Sequence, residues 1–304
     1  LSGFKEAFVI PVVADHISNR TKLSYSRFFE SSADHKALQI LEKACHSSVG
    51  LIKFFEEMRI QTDHAFVSDY DRTHPSNKDR LIILKSFNKR SKFIKSQNSE
   101  ELNYRYKRIA AKIIAYTGEI DQVGNYELAN NEEIFHYINA IKFYRKGKFD
   151  NALNHVNKLL IFRPKDPYYH ELKGQIFFEG KKKLAIHEYD IAVEQKPKDV
   201  LLRLSRAIIG INTYLSDPKH LNNYYKDLQF VLQNEPENLL ALYYSSLYYE
   251  KKGATGKGFL NSAYIAYYTG NKAMAKVLVK KSLKHFAPGI PDWYKAKDLL
   301  MLLK

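Results

Sequence analysis

Ala140-Ile141-Lys142-Phe143-Tyr144-Arg145-Lys146-Gly147-Lys148-Phe149-Asp150-Asn151-Ala152, followed after twelve residues by Pro164, carries the architecture of the second half of this chain. Small residues stand at 140 and 152, aromatics at 143 and 149, and a glycine at 147. Small residues at facing positions let two antiparallel helices approach closely, and the glycine supplies the turn between them. The aromatics fill the seam with a neighbouring pair. Pro164 closes the second helix, because proline lacks the N–H that would continue it. The order returns as Gly174, Phe177, Gly180, Ala185, Tyr189, Ala192 and Pro197. Ala152 to Ala185 and Pro164 to Pro197 are both 33 residues apart. A fixed period of this length marks stacked helix pairs.

The period resembles that of tetratricopeptide repeats, usually about 34 residues, with one residue lost at the turn near Gly180. A third unit is expected with helices over 200–211 and 221–233, ending at Pro236. That proline lies 39 residues after Pro197, so 213–220 is expected to be a lengthened turn. A fourth pair is expected over 237–252 and 259–268, and a last over 271–285 and 292–303. Such units cannot bury their apolar faces alone, so they stack into an α-solenoid whose surface binds peptides or proteins. Tyr243-Tyr244, Tyr248-Tyr249 and Tyr267-Tyr268 are candidates to line it, with half of each pair expected in the core.

Composition narrows the function classes. Of 304 residues, 45% are apolar and 27% charged, which excludes wholesale disorder. Nine prolines and thirteen glycines are few for a many-turned β architecture. The longest apolar run, residues 7–14, contains Pro11 and falls short of the about 20 residues of a transmembrane helix. The charge of +15 is spread along the chain in groups such as Lys181-Lys182-Lys183 and Lys280-Lys281. It reads as a solvated surface, with no specific nucleic-acid partner expected. The single Cys45 excludes an intrachain disulfide, and its thiol is expected to be half-buried. The sequence opens Leu1-Ser2-Gly3-Phe4-Lys5-Glu6, without a signal peptide, and reads as a processed or partial product.

Residues 1–130 lack the period. Helices are expected over 28–42, 49–59 and 79–89, a polar linker over 85–101, and a connecting helix over 104–116 carrying Ile109, Ile113 and Ile114. Two motifs stand out, Tyr25-Ser26-Arg27-Phe28-Phe29-Glu30-Ser31-Ser32-Ala33-Asp34 and Arg72-Thr73-His74-Pro75-Ser76-Asn77-Lys78-Asp79-Arg80-Leu81. Glu30 and Asp34 are four residues apart and share a helix face. Pro75 is placed to start a helix, with His74 before it and Arg80 inside it.

These motifs, in this order, resemble the second half of the catalytic domain of HtpX-like and BepA-like zinc metalloproteases. Leu51 to Met58 matches the family's Phe-Phe-Glu-rich helix. Asp166-Pro167-Tyr168-Tyr169-His170-Glu171-Leu172-Lys173-Gly174-Gln175 looks like the segment opening a repeat in its periplasmic, repeat-bearing members. The resemblance implies that Glu30 is the third zinc ligand and that Asp34 supports a ligand histidine. It also implies that His74 approaches the open metal position and that Arg80 walls the site.

One element of that family is missing from these residues. Of eleven histidines, only His170-Glu171 and His187-Glu188 begin a His-Glu-x-x-His motif, and Gly174 and Ile191 stand where its second histidine belongs. A catalytic zinc needs three protein ligands. The chain alone is therefore expected to be inactive, with zinc bound only if the missing helix is supplied from a preceding segment or, alternatively, with that helix lost. His16, His35 and His64 are expected at the surface.

The expected fold class is all-α, the C-terminal half of a gluzincin metalloprotease domain followed by a tetratricopeptide solenoid. The boundaries expected are 1–90 for the protease part, 91–130 for linker and connecting helix, and 131–304 for the repeats. The resemblance further implies a role in envelope quality control in the periplasm of a Gram-negative bacterium. There the solenoid would engage misfolded or assembling outer-membrane proteins and their assembly machinery. The competing expectation is a non-catalytic adaptor or chaperone that keeps only the binding role.

Overall fold

The computed structural model describes residues 28–63, 77–96, 99–118, 131–179 and 182–303, and among them every regular element is a helix. The chain divides into two compact units, Leu1–Arg105 and Tyr106–Lys304.

In the first unit, α1 (28–43), α2 (Val49–Asp63) and α3 (Asn77–Asn88) surround Leu38, Ile52, Phe55, Leu81 and Leu84. The polar stretch expected as a linker folds back instead. The Ser91 hydroxyl donates to Glu42 Oε2 at 2.6 Å, and that of Ser96 donates to the Cys45 carbonyl at 2.9 Å. Short polar side chains satisfy backbone and carboxylate groups here without needing apolar residues. Cys45 is also a correction: it ends the turn after α1 at φ 59°, which turns its thiol out to an exposed position.

Helix α4 (Glu100–Thr117) carries the unit boundary. Its buried face is Ala111 and Ala115, whereas Ile109 and Ile113 are more than half exposed. Small side chains win the inner face because they let α4 lie close to the first repeat. Arg108 locks it there, pairing with both oxygens of Asp166 (Nη2 to Oδ1 2.6 Å) over the Tyr169 ring. Asp166 also caps the helix that starts at Pro167, accepting from the Tyr168 and Tyr169 N–H groups.

Ten further helices follow as five antiparallel pairs. They are α5 (Glu132–Arg145) with α6 (Phe149–Phe162), α7 (Pro167–Phe178) with α8 (Lys182–Gln195), and α9 (Val200–Tyr214) with α10 (Pro218–Asn234). Then come α11 (Leu239–Lys251) with α12 (Thr255–Tyr268), and α13 (Lys272–Leu283) with α14 (Pro291–Leu302). Gly147 turns the first pair at φ 68°, as its spacing requires. The third pair departs from expectation, because the extra residues lengthen the helices. Only 215–217 separate α9 from α10, where Pro218 opens the new helix with its φ already set.

Gly174 shows why the small position matters. A Cβ there would lie 2.6 Å from Cε2 of Tyr189, whose ring is buried in the facing helix. Gly174→Ala is expected to destabilise the repeats by about 1–2 kcal/mol, overpacking outweighing the gain in helix propensity. An unchanged urea midpoint would contradict this close approach.

A polar seam runs inside the first three pairs. His136 meets His155 (Nδ1 to Nδ1 2.8 Å), His170 meets Glu188 (2.6 Å), and Arg206 meets Asp227 (2.7 Å). Both ring nitrogens of His170 face acceptors, Glu188 Oε2 and the Pro164 carbonyl at 3.0 Å, so the ring is held as an imidazolium. The hydrogen bond to Glu188 accordingly raises the His170 pKa above its ordinary 6.5. Burial pushes Glu188 up, but His170 and Lys173 outweigh it and leave its pKa below 4.5. A raised histidine stabilises the fold fully below about 6.5 and loses that contribution as pH rises through its folded value. A depressed glutamate contributes above about 4.5 and loses it on acidification, so this pair is strongest between those limits. His136 and His155 act oppositely, since burial lowers both, and their contribution fades as pH falls below 6.5. The difference in Tm between wild type and Glu188→Gln should therefore be larger at pH 6 than at pH 9. An equal difference at both values would mean that His170 is not charged in the fold.

Candidate functional site

The candidate site is built where three helices of the first unit meet. Helix α1 presents Glu30 and Asp34 one turn apart on one face, and α3 brings Arg80 against them. Arg80 Nε donates to Asp34 Oδ2 at 2.8 Å and Nη2 to Oδ1 at 2.6 Å. Its Nη1 lies 2.9 Å from Glu30 Oε2. One planar guanidinium thus engages both carboxylates, in the two-pronged geometry that arginine alone provides. From α2, the Phe55 ring lies 4.2 Å beneath the guanidinium carbon, a cation–π contact that also excludes water. The Asp34 side chain is 5% exposed and that of Arg80 18%, so the pair is strongly shielded from solvent.

Three of the four residues singled out by sequence, Glu30, Asp34 and Arg80, are therefore brought together. Arg80 does more than line a wall, because it orients both carboxylates. Asp34 is held by that arginine. His74 lies outside the described residues, as do Tyr25, Ser26 and Arg27. His16 and His64 are outside them too, while exposed His35 Nδ1 bonds the Ser31 carbonyl at 2.8 Å.

The donor set decides what this cluster can hold. Among the described residues, no three His, Cys, Asp or Glu side chains lie close enough to share a metal ion. Glu30 is a suitable hard oxygen donor, but one carboxylate does not make a zinc site. The described residues therefore do not fit a zinc ion by themselves. They form an anchored pair of carboxylates, oriented by an arginine, onto which further ligands would have to be added.

Fold and cluster together define a helical-repeat protein that carries a separate three-helix unit with an arginine-clamped carboxylate pair. Residues 4–88 match the family model of peptidase family M48. The match takes in Glu30, Asp34 and Arg80 and ends at the C-terminus of α3. Among solved structures, a tetratricopeptide repeat protein from Parabacteroides merdae is similar at 16% identity and a TM-score of 0.39. That similarity covers 83% of this chain and 98% of that one. No curated protein matches the chain. No helix among the described residues is long and apolar enough to cross a membrane.

Proposed function

We propose that this chain is the C-terminal portion of a zinc-dependent metalloendopeptidase with tetratricopeptide repeats, and that the 304 residues alone do not hydrolyse peptides. The observation that carries the reading is the Glu30–Asp34–Arg80 cluster inside the segment similar to peptidase family M48. In this reading Glu30 is one zinc ligand, and a His-Glu-x-x-His helix from outside these residues supplies two more. Arg80 fixes the rotamers of Glu30 and Asp34, so the third ligand is already in place when the others arrive. The resemblance alone assigns His74 to the approach of the open metal position. The repeats recruit the substrate, taken to be misfolded or assembling outer-membrane proteins together with their assembly machinery, in the periplasm of a Gram-negative bacterium. The substrate and the location rest on the resemblance alone.

Zinc content and casein hydrolysis, measured on this chain and on a form extended upstream to the nearest start codon, test the reading. The extended form is expected to hold one zinc and cleave casein, while the 304-residue chain binds zinc at micromolar strength or weaker. Stoichiometric zinc surviving dialysis of the 304-residue chain would refute that weak binding, and casein cleavage by it would refute its inactivity. Failure of both forms would leave the adaptor or chaperone reading in its place.

A further inference from the structure

In the second unit, tyrosines gather where the third helix pair meets the fourth. The Tyr225 ring of α10 and the Tyr248 ring of α11 lie parallel, with an interplanar angle of 2° and centroids 4.0 Å apart. Paired aromatic side chains ordinarily keep their centroids about 4.5–7 Å apart. Two hydrogen bonds hold this closer approach. The Tyr248 hydroxyl donates at 2.9 Å to Oδ1 of Asn222, one turn before Tyr225 on α10, and the Tyr225 and Tyr249 hydroxyls bond each other. Two further stacked pairs, Tyr214–Tyr224 and Tyr264–Tyr268, have their centroids 6.0 Å apart. Tyr249 meets the Tyr225 ring edge-on, at 64°.

Parallel phenol rings in contact are arranged for oxidative coupling. Loss of one electron and the phenolic proton from each ring leaves two phenoxyl radicals, with unpaired density on the carbons ortho to oxygen. The p orbitals of those carbons point along the stacking axis, so face-to-face rings overlap them directly. Tyr225 and Tyr248 need close by only about 0.5–1 Å to reach a near-attack separation of about 3–3.5 Å, whereas the pairs at 6.0 Å need at least about 2.5 Å. An edge-on ring such as Tyr249 presents its hydrogens instead of its p orbitals. Tyr225 and Tyr248 are both half-buried, which leaves part of each side chain open to an oxidant while the helices hold the rings together.

We propose that Tyr225 and Tyr248 form an oxidative modification site, joined into a dityrosine by hydrogen peroxide acting through a phenol-oxidising peroxidase. A carbon–carbon bond forms between one ortho carbon of each ring. Each of those carbons then gives up its hydrogen as a proton while its oxygen takes one up, restoring both hydroxyls. In all, two electrons and two protons leave the tyrosines, and one peroxide takes them up to become two waters. The bond staples α10 to α11 and joins positions 23 residues apart, which restrains the unfolded chain. The assignment stands on the ring geometry and does not depend on the peptidase reading, and its test involves neither casein nor zinc.

The test treats the whole chain with a haem peroxidase and limiting hydrogen peroxide, then digests it with trypsin for mass spectrometry. The expected product joins peptide 220–226 to peptide 227–251 with the loss of two hydrogens, and fragmentation places the link at Tyr225 and Tyr248. It should exceed links within Tyr214–Tyr224 and Tyr264–Tyr268 by about tenfold or more. Tyr248→Phe keeps the ring but not the phenol and should abolish this link. Oxidation in urea at a concentration that unfolds the chain should erase the preference. The crosslinked chain should also show a higher urea midpoint by circular dichroism than the untreated one, a gain absent from oxidised Tyr248→Phe. Comparable yields for the three pairs, a principal link to Tyr249, or chains joined to each other as the main product would overturn the proposal. So would a urea midpoint that the crosslink leaves unchanged.

Discussion

Arg80→Ala should destabilise the first unit by about 3 kcal/mol or more, because it strands the buried Asp34 carboxylate and removes a charged partner of Glu30. The size follows from burial. An exposed ion pair contributes at most about 1 kcal/mol, whereas a carboxylate with a 5% exposed side chain cannot exchange its arginine for water. Loss of the guanidinium over Phe55 adds a packing defect to the electrostatic one. Hydrogen exchange localises the effect: peptides from residues 28–63 and 77–88 should lose protection in the variant. Asp34→Asn separates charge from shape. If the pair is the source, combining Asp34→Asn with Arg80→Ala should cost less than the sum of the two, by at least about 1 kcal/mol. Additive costs would mean that Arg80 acts through packing alone and that the cluster is not an electrostatic unit.

Asp227→Ala is the counterpart in the repeats. Asp227 is 1% exposed and holds two arginines, Arg203 through Oδ1 at 2.9 Å and Arg206 through both oxygens at 2.7 and 2.8 Å. Removing it leaves two guanidinium groups crowded between α9 and α10, and a loss of about 3–5 kcal/mol is expected. The single tryptophan, Trp293, lies in the same unit, so a urea titration followed by its fluorescence reads the change. Asp227→Asn keeps the shape and accepting oxygen and should recover part of the loss. A shift below about 1 kcal/mol would mean that Arg206 turns fully to Asp190, now 3.3 Å away, and that Arg203 relaxes into solvent over Phe230.

The cluster and the seam differ in how far they could be read beforehand. Glu30 and Asp34 are four residues apart, so helical geometry alone puts them on one face. Arg80 sits 46 residues beyond Asp34, and no local rule joins them. Its place after the His74-Pro75 pair marked it as notable without saying what it touches. The polar seam was missed altogether. His136, His170 and Arg206 lie in the first halves of successive first helices, spaced 34 and 36 residues apart. That recurrence was visible, yet a polar residue on a helix face is usually solvated, and burial arises only when the second helix of each pair covers it. The buried face of α4 was not legible in the sequence either. Ile109 and Ile113 have the right spacing for a buried face, but Ala111 and Ala115 allow the closer approach and take it.

The succession of helix pairs and the turns at Gly147 and Pro164 followed from residue order, because steric size, backbone freedom and the missing proline N–H act within one or two turns of chain. Which charge meets which did not follow. Arg80 with Asp34, Arg206 with Asp227 and His170 with Glu188 depend on how whole helices dock, and docking is settled by the summed packing of many side chains. The stacked rings of Tyr225 and Tyr248 belong to that second class, since they face each other only once α11 has docked on α10.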